Sequence, residues 1–146
     1  MDDFMKQALE QALAAAARGE VPVGAVLVKD GSVIAADGNR VEERSDPTAH
    51  AEIQVIRAAS AQLKSPRLED CDLYVTLEPC PMCAAAIAHA RLRRLYFGAY
   101  DPKGGGVEHG ARVFARSTCH HHPEVVGGVS ETEAAEILRD FFRQRR

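Results

Sequence analysis

Two short clusters hold the residue types that bind metals and move protons: His50-Ala51-Glu52 and Pro79-Cys80-Pro81-Met82-Cys83. Cys80 and Cys83 are three positions apart, so on a helix they project from one face about a turn apart. That is the first half of a thiolate zinc site. Pro81 suits a first helical turn, where its missing N–H costs nothing, and a helix N-terminus favours thiolate over thiol. The chain has no second Cys-x-x-Cys to complete a four-thiolate structural site. His50 is the third candidate ligand, and three protein ligands leave a fourth position for water, the arrangement of catalytic zinc sites. Glu52 matters beside such a site on one condition. Residues two apart on an ideal helix point about 200° apart, so His50 and Glu52 converge only if the motif lies at a helix entrance.

The surrounding periodicity supplies that entrance. Apolar positions at Ile53, Ile56 and Ala59 mark a helix over Ala49–Leu63, and the Ala-rich run Pro81–Leu92 marks another. Phe4, Ala8, Leu9, Ala12, Leu13 and Ala16 predict a helix over Asp2–Arg18, with Gly19 where a C-terminal cap belongs. Val21–Val28 and Ser32–Ala36 flank Lys29-Asp30-Gly31 as a β-hairpin. Asp72–Leu77 and Leu95–Ala99 read as strands, Val125-Val126 as a short last one, and Asp101–Pro123 as loop with a short helix. Ser130–Arg146 closes the chain as a helix, with Ser130 and Glu133 in the capping-box pattern. A hairpin followed by alternating helices and strands gives an α/β fold: one mixed sheet with helices on both faces.

The 146 residues fit a single domain over 1–146, with 46% hydrophobic and 27% charged residues, a net charge of -3 and a pI near 6.1. Mild acidity argues against a protein that coats nucleic acid indiscriminately. The average hides two unlike parts. Residues 1–80 carry 8 Lys+Arg against 14 Asp+Glu, and residues 81–146 carry 10 against 7. No apolar run approaches the roughly 20 residues of a membrane span, and Met1-Asp2-Asp3 has the wrong charge for a signal peptide. A cytoplasmic protein with no membrane association is expected, its four Cys serving as ligands or inert core rather than disulfides.

His-x-Glu followed by a strand and Pro-Cys-x-x-Cys at a helix start is the signature of zinc nucleobase deaminases. The resemblance reaches further along the chain, through Glu20-Val21-Pro22-Val23-Gly24-Ala25-Val26, Gly38-Asn39-Arg40, Asp46-Pro47-Thr48-Ala49-His50-Ala51-Glu52, Tyr74–Cys80, Phe97-Gly98-Ala99 and Asp140-Phe141-Phe142-Arg143. On these segments the chain resembles the bacterial tRNA-specific adenosine deaminases of the cytidine deaminase-like superfamily. The resemblance implies a homodimer that converts wobble adenosine in a tRNA anticodon loop to inosine. It implies one Zn²⁺ per subunit on His50, Cys80 and Cys83, with an activated hydroxide attacking C6 and Glu52 shuttling protons. It also implies that Asn39 bonds the adenine edge and that the Ala51 N–H meets the group at C6. Asp101 would lie by the ribose, where it can accept from a 2′-hydroxyl.

Phe141, Phe142, Arg143, Arg145 and Arg146 would suit an unpaired RNA loop, with one Phe in the core and Phe142 and Arg143 on substrate. Plainer readings stand beside these: Asn39 and Asp101 as turn residues, and the arginines as charges complementing a helix C-terminus. Arg91, Arg93 and Arg94 would either extend the basic patch or simply be solvated. Tyr100 departs from the family, whose better-known members carry a basic residue there. Cys119-His120-His121-His122 lacks a well-placed carboxylate for a second metal, and Gly104-Gly105-Gly106 lacks the Lys-Ser/Thr of a phosphate loop. The nearest alternative is a deaminase of free guanine, cytosine or dCMP on the same fold. A different class, a Cys-x-x-Cys redox protein or zinc-stabilised binding module, would leave His50 and Glu52 without a role.

Overall fold

In a computed structural model that describes residues 3–145, the chain begins with α1 (Phe4–Ala17). Asp3 caps it, its carboxylate accepting from the Lys6 amide at 2.9 Å, and Gly19 leaves it at φ 86°. The expected start at Asp2 lies outside the described residues. The hairpin follows as β1 (Gly24–Lys29) and β2 (Ser32–Gly38), with Lys29 opposite Ser32. Asp30 and Gly31 both take positive φ, as a two-residue turn matched to strand twist requires. The first strand starts three residues later than its Val-rich sequence suggests. Pro22 has no N–H to give a ladder, and the Val21 and Val23 carbonyls accept instead from Asn39.

A four-residue helix, α2 (Val41–Arg44), has no apolar period to announce it. Then come α3 (Ala51–Leu63), β3 (Cys71–Leu77), α4 (Pro81–His89), β4 (Arg94–Ala99), a 3₁₀ turn at Val113–Ala115, β5 (Glu124–Val126) and α5 (Glu131–Gln144). The sheet order is β2-β1-β3-β4-β5; β1 is antiparallel to both neighbours, and β3, β4 and β5 are parallel. The mixed sheet is as expected.

Strand alternation sorts the core into two layers. Ala25, Leu27, Leu73, Val75, Leu95 and Phe97 pack with residues of α3 and α4, including Val55, Ala59, Ala84 and Ile87. Val26, Val28, Tyr74 and Tyr96 face the other way, towards Met5 and Ala8 of α1. Alongside α1, α5 crosses β4 at Gly98, where a Cβ would stand 2.9 Å from the Cβ of Ala134.

Two helix ends differ from their sequence patterns. Helix α4 stops at His89 because Arg91 turns left-handed, φ 61°, which frees the Ala90 carbonyl to accept from Leu68 and buries Leu92. The capping box of α5 does not form. Ser130 sits at φ 55° after Gly128 at φ 80°, without a side-chain cap, whereas an N-cap hydroxyl normally reaches its amide from an extended backbone.

Gly24 is where α1 lies closest to the sheet: a Cβ there would collide with the Ala8 carbonyl and the Ala12 amide. Gly24→Ala should therefore cost about 1–3 kcal/mol of stability through overpacking. Urea unfolding checks this, and an unchanged midpoint would show that α1 can shift freely.

Candidate active site

Helices α3 and α4 begin at the same place, beyond the C-terminal end of β3. His50 is the N-cap residue of α3 and Cys80 that of α4, both with extended backbones, ψ 154° and 171°. The helix entrance that His50 and Glu52 need is thus present: the ring leaves from the cap and the carboxylate from inside the first turn. Neither N-cap side chain bonds an amide of its own helix, and the positive end of each helix favours an anionic group beside it. The placement follows the general rule that open α/β sheets build sites outside the carboxyl ends of parallel strands.

His50 Nδ1 lies 3.6 Å from Cys80 Sγ and 3.5 Å from Cys83 Sγ. These three residues are the group able to hold a metal ion among the described residues, all ligand atoms lying within 4.8 Å of one another. The donor set fits. A tetrahedral ion bonded to nitrogen at about 2.0–2.1 Å and sulfur at about 2.3 Å sets them about 3.5 Å apart. Donation from Cys83, opposed by burial and helped by His50, holds the Cys80 thiol down at about 4. The Cys80 partner raises His50, against burial, while donation to Cys80 and burial both push Cys83 up. Cys119 and its histidines do not gather comparably: Cys119 Sγ donates to the His121 carbonyl, and the His121 ring meets the Leu92 carbonyl at 2.8 Å. Cys71 is buried, which raises its thiol and keeps it inert.

A cavity of about 620 Å³ opens onto His50, Glu52 and Cys80. Glu52 is only 4% exposed, and burial, helped by the Cys80 charge, pushes its carboxyl up to about 7. Asn39 and Asp101 also line the cavity. The Ala51 N–H donates to Asn39 Oδ1 at 2.8 Å, and the residue is fully buried. Asn39 Nδ2 gives one hydrogen to the Val21 carbonyl at 3.1 Å and keeps the other.

Asp101 is a turn residue that also stands at the cavity. Its Oδ1 accepts from the Lys103 and Gly104 amides, as a turn residue's does, while the residue forms part of the cavity wall. At the C-terminus Phe141 is buried, Phe142 is 51% exposed, and Arg145 sits over the Phe141 ring at 4.2 Å. Phe141 and Arg145 line the cavity, whereas Phe142 and Arg143 stand exposed. Arg146 lies outside the described residues. Arg93 pairs with Asp72 at 2.9 Å and Arg94 with Glu124 at 3.3 Å, both at the start of β4. The cavity lies past its far end, a strand's length of roughly 17 Å away.

Two carboxylates here have no motif of their own. Glu20, 1% exposed, accepts from the Glu42 and Glu43 amides at 3.0 and 2.8 Å and so caps α2. Glu78, 2% exposed, gathers the segment after β4. Their signal is an acid at the edge of an apolar run, inside two of the segments that carry the family resemblance. Asn39→Ala strands the Ala51 N–H and the Val21 carbonyl, and should cost about 1–3 kcal/mol of stability. It should leave metal content intact, as thermal unfolding with metal analysis would test; loss of metal would place Asn39 in the metal support instead.

A family model described as MafB19-like deaminase matches residues 1–146. A tRNA-specific adenosine deaminase of Agrobacterium fabrum (strain C58) is 62% identical over 143 residues, covering 98% of this chain and 94% of its own. A structure solved in a study of A-to-I editing by tRNA:A34 deaminases at the wobble position superimposes with a TM-score of 0.91 at 62% identity, over 92% of this chain and 98% of that one. A guanine deaminase of Nitrosomonas europaea shares the fold at a TM-score of 0.80 and 26% identity, over 94% and 82% of the two chains. The chain belongs to the MafB19-like deaminases and, by its identity to these relatives, to the family of tRNA-specific adenosine deaminases.

Proposed function

We propose that this protein is a zinc-dependent hydrolase converting adenosine to inosine at the wobble position of tRNA. It would act as a single 1–146 deaminase domain holding one zinc ion per subunit, in a cytoplasmic homodimer. The observation that carries the reading is a ligand triad at tetrahedral spacing and a buried carboxyl beside it, set at a cavity of about 620 Å³. His50, Cys80 and Cys83 would hold the zinc, which when bound supplies Lewis-acid activation of water.

The protein's own groups do the rest. Glu52 takes one proton from the attacking water and delivers it to ring N1; it then takes the second from the new C6 hydroxyl, as that oxygen becomes a carbonyl, and delivers it to the departing amine. A C6–O bond forms, the C6–N bond breaks, and ammonia leaves. A carboxyl raised by burial towards neutrality exchanges protons readily in both directions. Asn39 offers its remaining Nδ2 hydrogen to the base edge, with the Ala51 N–H holding it in place. Asp101 uses Oδ1 for its own loop, which leaves Oδ2 to accept from a ribose 2′-hydroxyl. Phe142 and Arg143 meet the anticodon loop outside the cavity, beside Phe141 and Arg145 at its wall.

The test is incubation with an arginine tRNA carrying A at the wobble position, and separately with free adenosine, guanine and cytosine. Inosine is read by sequencing and ammonia by assay. Editing of the tRNA without release of ammonia from free bases is expected; activity confined to free bases would overturn the substrate. Glu52→Ala should lower turnover by roughly 10²–10⁴-fold or more with zinc stoichiometry unchanged. Full turnover in a zinc-replete variant would remove Glu52 from the chemistry.

A further inference from the structure

Glu78 follows β3 directly and precedes the Pro79-Cys80 turn. Its side chain is fully buried, and five donors converge on it. Oε1 accepts from the Asp101 amide at 3.0 Å and meets His109 Nδ1 at 2.8 Å. Oε2 accepts from the Val107, Glu108 and His109 amides at 3.2, 2.9 and 3.0 Å. The segment is moulded around this group. A Cβ at Gly105 would stand 2.5 Å from Oε2, and one at Gly106 would press on the backbone of Cys80 and Pro81. The Gly106 amide donates to the Pro79 carbonyl at 2.8 Å, tying the same loop to the metal-ligand turn.

We propose that Glu78 is a positioning residue: its buried carboxylate is the acceptor on which the segment 101–109 is assembled, and through that segment it sets where Asp101 and Gly104 stand in the cavity wall. The inference rests on the reading of the cavity as a nucleotide site. Its chemical logic is acceptor-only recognition. A carboxylate is acceptor-only, its roughly four lone-pair sites shared here among five donors, whereas an amide of the same shape turns an NH₂ towards at least one converging N–H whichever way it is flipped. Asp keeps the charge but falls one methylene short. Neither neighbour in chemistry can replace Glu here.

The test compares Glu78→Gln, Asp101→Ala and the double variant on wobble-A tRNA, with zinc content and amide exchange measured on each. Glu78→Gln should retain zinc and raise KM for the tRNA by roughly 10–100-fold, the usual range for a group that orients a functional residue, with a smaller change in kcat. The amides of residues 101, 107, 108 and 109 should lose exchange protection together. Because Glu78 acts through Asp101, the double variant should be little worse than Asp101→Ala alone; additive losses would mean an independent role. His109→Ala removes one donor at a half-exposed position and should shift the same amides and KM in the same direction, which covers the case that Glu78→Gln folds poorly. Zinc loss paralleling activity loss in Glu78→Gln, or unchanged protection at 107–109, would overturn the proposal. A wild type inactive on tRNA would sink the functional reading alone, since amide exchange and zinc content report on Glu78 without it.

Discussion

The structure depends on two helices starting at one point. His50 and Cys80 can approach within 3.6 Å only because each is the last extended residue before a helix, at adjoining starts. A cap residue points its side chain across the helix entrance, whereas one turn further in the same residue would point along the barrel of the helix. Cys83, one turn into α4, is the exception that proves the geometry, since it reaches the same point from below. The parallel pair β3 and β4 supplies the platform. Strand β3 delivers the Pro79-Cys80 turn and β4 delivers Asp101, so the metal-ligand and cavity-wall elements leave neighbouring strand ends.

Around that point three buried glutamates show how environment assigns different work to one side chain. Glu20 spends its oxygens on the first amides of α2, a helix too short to hold itself together. At Glu78 burial alone would raise the carboxyl, but the Asp101, Glu108 and His109 donors overcome it and hold the group below the usual carboxylate range. Glu52 is equally hidden yet lacks such a cluster of amides, and burial prevails, pushing it to about 7. Glu78 is thereby held as a charged acceptor, and Glu52 is left able to change protonation. Only the latter suits proton transfer.

Much of this was legible beforehand because it is local. The cysteine spacing, Pro81 at the first turn and the apolar period after His50 each report on a few consecutive residues, and together they require the shared helix entrance. The sheet alternation was equally readable. What stayed hidden is non-local or conformational. Val21–Val23 looks like strand but is recruited by Asn39, sixteen or more residues on. Ser130-x-x-Glu133 has the letters of a capping box, but the chain enters through Gly128 at φ 80° and Ser130 itself is left-handed at φ 55°. That the Ala51 N–H goes to Asn39, and that Glu20 and Glu78 gather backbone amides, is invisible to any pattern of side chains, because backbone donors carry no sequence signature.

Charge shows most clearly why location outranks sum. The second part of the chain carries the excess of arginine that would suit RNA, yet much of it is not at the cavity. Arg93 and Arg94 are held in ion pairs with Asp72 and Glu124 at the opposite end of β4, where they offset acids more than they create a field. Among the described C-terminal arginines it is Arg145 that lines the cavity, braced against Phe141. A guanidinium stacked on an aromatic ring keeps its charge while losing freedom, so it can meet a phosphate or base at low entropic cost. A net charge of -3 is thus no obstacle to binding one loop of nucleic acid. It limits adhesion to phosphate backbones in general, which depends on many contacts at once, and is compatible with a single cation such as Arg145 placed at the pocket.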